Sequence, residues 1–394
     1  MSETNTRALE SFTGADLEPY IHEVGLAKID LLDVTSNHLQ ADINRSNELL
    51  RFIDREHYGI EIAPWINPIT PKSHGFNCLT LDVFDKNTLV SKAMADPNIP
   101  DGCLNLIEDV DFIGSACDID SIVSSKCVLG SFDYIISSHN FEHLPNPILF
   151  LQGCSKVLKP NGILSMALPD KRASFDYFRP HSITADWVAA YYEKRDRPSA
   201  QQLFAQTSLH SRFQQADREA LCFSLGADPE LVVPFETLKE AFHTWDNFQK
   251  SPDEIYRDVH CSVFTPSSFE LILRDCEFLG LVDFDIRSIS QNNGNEFYVH
   301  LENVAGTIRK RQTEREFYDR RKILLQKIGS EIAIDTTLST AYSRLVRSLS
   351  NLNDQQAVRL EALEEQIVRL RKKTSKFNPF RWLARYGIQG VVRD

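Results

Sequence analysis

Carboxylates, amides and imidazoles recur at the ends of apolar runs along the first 172 residues of this 394-residue chain. Glu61 lies in the run Tyr58–Ala63, Asp82 closes the run that starts at Cys78, and Asp118 follows Phe112–Ala116. Ser138, His139 and Asn140 follow Phe132–Ser137, and Asp170 follows Gly162–Ala167 with Lys171 and Arg172 beside it. Open α/β sheets bind ligands beyond the carboxyl ends of their strands, so these groups share one edge if the runs are parallel strands. A carboxylate after the second strand can accept both hydroxyls of a ribose. One after the third can accept the amino group of adenine, and one near the first favours a cationic ligand. The same charges repel a pyrophosphate, so S-adenosylmethionine, an adenosyl sulfonium without phosphate, fits better than a dinucleotide.

The intervening sequence supplies what would hold such strands. Ile148, Leu151, Cys154 and Val157 space one apolar face over 147–157, and Lys159-Pro-Asn-Gly162 stops the helix. Alternating strand and helix signals predict a doubly wound parallel α/β sheet. The first strand runs into Pro64, Pro68 and Pro71, a turn that excludes both helix and central strand and has no glycine-rich loop. Residues 34–53 space a helical face leading into that strand. Residues 180–260 read as an aromatic, acidic helical insertion without clear strands. Thr265-Pro-Ser-Ser opens a capped helix to about Phe278, followed by strands at 282–288 and 296–301 around the hairpin signal Gln291–Asn295.

The formal charge of −12 is unevenly spread. Residues 304–394 carry 19 Lys+Arg against 10 Asp+Glu, a net of +9, which leaves −21 on residues 1–303. So acidic a body argues against a large nucleic-acid substrate, and none is expected. Eight cysteines without a CxxC pair predict buried reduced thiols, and no metal-cluster spacing is evident, although Asp170 with one histidine leaves room for a divalent ion. From Val346 to Leu370, apolar positions three and four apart, interrupted by Asn353 and Gln356, form a heptad seam that suits self-association or packing back on the body. The tail 374–394 interleaves Arg and Lys with Phe377, Phe380, Trp382 and Tyr386, a composition suited to peripheral contact with the inner face of a membrane. The N-terminus has no signal-peptide core and no stretch is long enough to span a bilayer, so a cytoplasmic location is expected.

FDYIISSHNFEHLPNP (132–147) with VLKPNGILSMALPD (157–170) resembles the fourth-strand motif, helix and fifth strand of class I S-adenosylmethionine-dependent methyltransferases. GIEIAPWINPI is similar to a variant of their first motif. DKRASFDYFRP (170–180) and DVHCSVFTPSSF (258–269) resemble segments of methyltransferases of surface-polysaccharide and glycan synthesis. The resemblance covers 58–303 and implies a seven-stranded Rossmann-like sheet with a terminal antiparallel hairpin, in a domain placed at 51–303; the apolar spacing adds a helical or coiled-coil region at 304–373. It implies cofactor contacts from Glu61, Ile62 and Ala63 on the methionine side, Asp82 at the ribose, Asp118 and Ile119 at the adenine, and Ser138, His139 and Asn140 near the methyl group. The family commonly has glycine where this chain has Ala63.

A sugar-hydroxyl acceptor needs its proton removed. His139, His260 and Asp170 are the candidate catalytic groups, and His143 more readily serves a structural bond at a helix start. Lys171, Arg172 and Arg179 are candidates for holding an anionic sugar or a phosphate linkage, or form a solvated basic corner. The expectation is O-methylation of a sugar or glycan intermediate. The alternatives are a catalytically silent scaffold or a small-molecule N- or C-methyltransferase.

Overall fold

A computed structural model describes residues 43–333, except 98, 216–217, 226, 251–257 and 308–311, together with 359, 363 and 366. A short helix α1 (43–49) precedes β1 (Tyr58–Ile62), β2 (Asn77–Asp82), α2 (Lys86–Ala95), β3 (Phe112–Ile113), α3 (Ile119–Ser124), β4 (Phe132–Ser138), α4 (Pro147–Val157) and β5 (Leu158–Pro169). The insertion holds α5 (Thr184–Tyr192), α6 (Ala200–Leu209), β6 (Ser211–Gln215), β7 (Arg218–Ala220), β8 (Val232–Pro234) and α7 (Leu238–Lys250). After it come α8 (Pro266–Phe278), β9 (Phe284–Ile289), β10 (Glu296–Asn303) and α9 (Glu314–Ala333).

Seven strands form one sheet in the order β3-β2-β1-β4-β5-β10-β9. β1 to β5 pair in parallel, while β10 runs antiparallel to both β5 and β9. This is the sheet the resemblance implies. Its central strands are apolar on both faces because helices cover both, and Ile60, Ile135 and Leu164 are fully buried. α4 covers the predicted 147–157: Pro147 takes the first turn, where its missing N–H costs nothing, and Asn146 accepts the Leu149 N–H at 3.2 Å. The third strand is shorter than the predicted 112–116 because Gly114 (φ +152°) turns the chain and Ser115 caps the turn that follows.

The insertion departs from its helical expectation, since β6, β7 and β8 form a separate three-stranded sheet. Segments such as Ser211-Arg-Phe-Gln-Gln215 are too short and polar to announce themselves as strands. The first part of the 304–373 region packs back on the body. Phe317 of α9 stacks on Phe278 at 3.8 Å, and Glu331 accepts hydrogen bonds from the Thr265 and Ser267 hydroxyls at 2.6 Å. The heptad seam lies outside the described residues apart from Leu363, which is exposed, and so does the basic tail. All eight cysteines are free. Among the described residues no helix is long and apolar enough to cross a membrane.

Gly59 lies opposite Tyr134 across the β1–β4 pair, and a Cβ there would sit 2.1 Å from the Tyr134 ring. Gly59→Ala is expected to destabilise the fold by about 3 kcal/mol in urea unfolding, because the fully buried ring has no room to move.

Candidate active site at the carboxyl edge of the sheet

Register brings the ends of β1, β2 and β4 to one level. Ile62 pairs with Leu81 and Ser137, so Ala63 stands beside Asp82 and Ser138. Ala63 (φ +49°) and Trp65 (φ +42°) both occupy the left-handed region, which turns the chain off β1 without glycine. Glu61 holds the turn: its buried carboxylate accepts N–H from Ile69 (2.7 Å) and Thr70 (2.8 Å) and the Thr70 hydroxyl (2.7 Å). Burial raises its pKa, partly offset by those donors. Asp82 is also buried and accepts the Phe84 N–H of its own turn at 3.0 Å. Burial raises its pKa as well, against the backbone N–H groups of Phe84 and Val83. On the next strand end Asp118 is exposed at the head of α3, whereas Ile62 and Ile119 are core residues.

Beyond β4 the chain makes a single tight turn, Phe141–His143. Phe141 drives it inward, with its ring 5.4–6.1 Å from those of Phe150, Trp187, Phe264 and Phe269. That anchorage encloses the neighbouring Glu142 completely, at 0% exposure. His139 (φ +47°) bridges two carboxylates, Nε2 lying 2.7 Å from Glu296 and Nδ1 3.4 Å from Glu142. Burial opposes its charge, but the bonds to Glu142 and Glu296 prevail and raise its pKa to about 9. Glu296 also takes a forked contact from Arg45 of α1 (2.8 and 3.1 Å) and the Tyr298 hydroxyl (2.8 Å). Burial raises the Glu296 pKa, yet His139 and Arg45 bring it down to about 2. Arg45 reaches Ser138 Oγ at 2.6 Å, and Asn140 donates to Ser137 Oγ at 3.1 Å.

The opposite wall combines residues 170–182 with residues 258–265. Lys171 N–H donates to the Phe264 carbonyl and Ser182 N–H to the Val263 carbonyl, both at 2.8 Å. His260 Nδ1 meets Asp176 at 2.5 Å, and Arg179 donates to Asp176 (2.7 Å) and to the His260 carbonyl (2.8 Å). The His143 ring lies 4.7 Å from that of His260, with its Nδ1 2.7 Å from Asp258. Burial raises the Glu142 pKa, but His139, His143 and His260 outweigh it and hold the group below the usual range.

Of the candidate bases, His139 and His260 thus flank Glu142, while Asp170 does not join them. Asp170 is wholly buried in a forked pair with Arg172 (2.9 and 2.6 Å) and accepts from Asn292. The three candidate cations differ from a solvated corner. Lys171, Arg172 and Arg179 are all buried, Lys171 on the Tyr177 carbonyl and the two arginines on Asp170 and Asp176. Reaching a ligand would mean opening those contacts. His143 does not cap the helix, since Asn146 does. Sequence reasoning missed Arg45, Glu142, Asp176, Asp258 and Glu296. For Glu296 a signal existed: it follows the predicted hairpin turn, and an antiparallel strand beside β5 delivers its first residue to the carboxyl edge.

Residues 118–166 match a family of methyltransferase domains. Among curated proteins none matches the chain significantly. Similar solved structures include an S-adenosylmethionine-dependent methyltransferase from Methanosarcina mazei, 14% identical over 64% of this chain and 95% of that one, TM-score 0.32. Another from Aquifex aeolicus is 12% identical over 66% and 89%, TM-score 0.32. A Rhodobacter sphaeroides protein described as a zinc-dependent alcohol dehydrogenase is 8% identical over 66% and 89%, TM-score 0.36. None of these likenesses decides the activity.

Glu296→Gln is expected to destabilise the fold at pH 7 by roughly 3 kcal/mol, because it leaves Arg45 and His139 without their counter-charge. The sign follows from a pKa lowered from 4.5 to about 2, so the stabilisation is present above pH 4.5 and is lost as the pH falls towards 2. Urea midpoints of the two proteins should therefore converge over that interval. Ala63→Gly relieves a left-handed alanine and is expected to stabilise by about 1 kcal/mol, read as a raised melting temperature.

Proposed function

We propose that the chain binds S-adenosylmethionine at the ends of β1 to β4 and methylates a hydroxyl oxygen of a sugar or glycan intermediate. One observation carries the cofactor half: the buried Asp82 carboxylate, bonded within its own turn, stands one strand end from the exposed Asp118. These residues fit an adenosyl group. Asp82 accepts the ribose hydroxyls, and its low-dielectric surroundings strengthen such bonds. Asp118 accepts the adenine amino group. The chemistry the cofactor supplies when bound is an electrophilic methyl carbon on a positively charged sulfur. The chain's own task is to align the acceptor and exclude water.

Two features support the oxygen acceptor. The segments 170–180 and 258–269, whose resemblance suggested glycans, pack together as one wall beside the β4 turn. Between that wall and the β4 turn, Glu142, His143 and His260 form the group through which a hydroxyl proton would be withdrawn, while His139, with a pKa of about 9, is an imidazolium at neutral pH and serves as a fixed cation.

Isothermal titration with S-adenosylmethionine should show binding that Asp82→Ala weakens at least tenfold, with an unchanged melting curve. No heat with the wild type, or equal affinity in the variant, removes the cofactor assignment. Transfer of labelled methyl into fractionated cell-envelope glycans tests the acceptor. His260→Ala should slow that transfer about 100-fold or more if a proton must be removed. Undiminished turnover would instead favour a nitrogen or carbon acceptor.

A further inference from the structure

Glu142 and its histidines present an arrangement that neither cofactor binding nor the packing explains. Its carboxylate is fully enclosed, and its contacts are long ion-pair distances on Oε1, His139 Nδ1 at 3.4 Å and His143 Nε2 at 3.8 Å, with no well-aligned hydrogen bond to either oxygen. A buried carboxylate in that state costs several kcal/mol unless something else satisfies it. One donor atom from each of Glu142, His143 and His260 lies within 4.8 Å of the others, and His143 Nε2 is 3.8 Å from Glu142 Oε1. Each histidine turns its Nδ1 to an aspartate, Asp258 for His143 and Asp176 for His260. Nε2 is the nitrogen left to each. An imidazole oriented by a carboxylate on its far nitrogen is the usual outer shell of a metal-ligating histidine.

The geometry points to a divalent transition-metal site formed by Glu142, His143 and His260, with Asp258 and Asp176 as its outer shell. Two imidazoles and one carboxylate suit an ion of the zinc class, and three protein ligands leave a fourth position for an oxygen ligand. A tetrahedral ion with bonds of about 2.0–2.1 Å sets its ligands roughly 3.3 Å apart, so the three donors close by side-chain rotations of about 1 Å or less per group. His143 is a quarter exposed and gives the ion a way in. The assignment deepens the proposed function by changing how the proton leaves: with the two imidazoles ligated, an ion here, and not a histidine base, would acidify a bound acceptor hydroxyl, yet metal binding itself does not depend on that reading.

The test is titration of the chelator-treated full chain with Zn²⁺, with Mg²⁺ and S-adenosylmethionine titrated separately. The expected result is one Zn²⁺ per chain and no binding of Mg²⁺, which takes oxygen ligands. His143→Ala and His260→Ala should each lower Zn²⁺ affinity at least 100-fold, and Asp258→Asn about 10–100-fold. Co²⁺ should give a tetrahedral visible spectrum that His143→Ala abolishes. Because Glu142 is wholly buried, Glu142→Gln is read only beside a normal melting curve, and the exposed outer-shell variant Asp258→Asn serves where it fails to fold. The assignment is overturned if Zn²⁺ does not bind, or if it binds both histidine variants as tightly as the wild type. Either outcome leaves S-adenosylmethionine binding free to succeed or fail on its own.

Discussion

A carboxylate cut off from solvent must be compensated by nearby positive charge, or it destabilises the fold by several kcal/mol. Glu142 is in that position because Phe141 is fixed among four aromatic rings, and the surrounding charges are ordered about it. His139, His143 and His260 lie next to it. Beyond them stand Glu296, Asp258 and Asp176, and beyond those Arg45 and Arg179. Along the chain of contacts from Glu142 through His139 and Glu296 to Arg45 the sign alternates outward, so each layer lowers the cost of the one inside it. These residues come from α1, the β4 turn, the chain after β5, the approach to α8 and the start of β10. The charge order therefore also ties α1 and the antiparallel β10 to the parallel strands.

The same edge stores backbone strain. Ala63, Trp65 and His139 all take left-handed φ values, and they lie just past β1 and β4. Each costs about 1–2 kcal/mol relative to glycine. The strain persists because bonds on either side over-determine it. Glu61 holds Ile69 and Thr70 behind the first turn, and the His139 N–H is tied to the Ala167 carbonyl at 3.0 Å. The prolines that break the first strand do similar work by fixing φ in the turn. Strain kept at strand ends while the strands themselves stay regular fits a ligand-facing edge.

The parallel strands and α4 were legible because a sheet buried on both faces writes continuous apolar runs, and Asn-Pro and Pro-Asn-Gly mark the helix ends. Strand-end logic placed Asp82 and Asp118 on one edge for the same reason. The insertion's strands were not legible, because β7 and β8 span only Arg218–Ala220 and Val232–Pro234 and carry no alternation to read. Nor was the histidine–carboxylate group. Glu296 lies 157 residues from His139, and His260 lies 84 from Asp176. Only the reversal of β10 and the return of the chain to β5 after the insertion bring those pairs together. The enclosure of Lys171, Arg172 and Arg179 is not legible either, because a run of adjacent Asp, Lys and Arg reads equally as a ligand-holding or a solvated corner until Asp170, Asp176 and the Tyr177 carbonyl are seen buried against them.

Asp82 and Glu142 are both buried carboxylates at this edge, and their surroundings drive them in opposite directions. Burial dominates at Asp82, where its own turn supplies the donors, and its pKa is raised. At Glu142 three histidines outweigh a deeper burial, and the pKa is lowered. Pairs of like groups pushed apart by their environments usually divide the work of a site. Asp82 receives only the backbone N–H groups of its own turn, so neutral hydroxyls from a ligand would stabilise it further. Glu142 has its charge balanced but only long contacts to His139 and His143, so what would satisfy it is a ligand that meets the carboxylate directly. The sheet thus separates recognition at β2 from proton or metal chemistry at β4, with Ala63 and Ser138 on the strand ends between them.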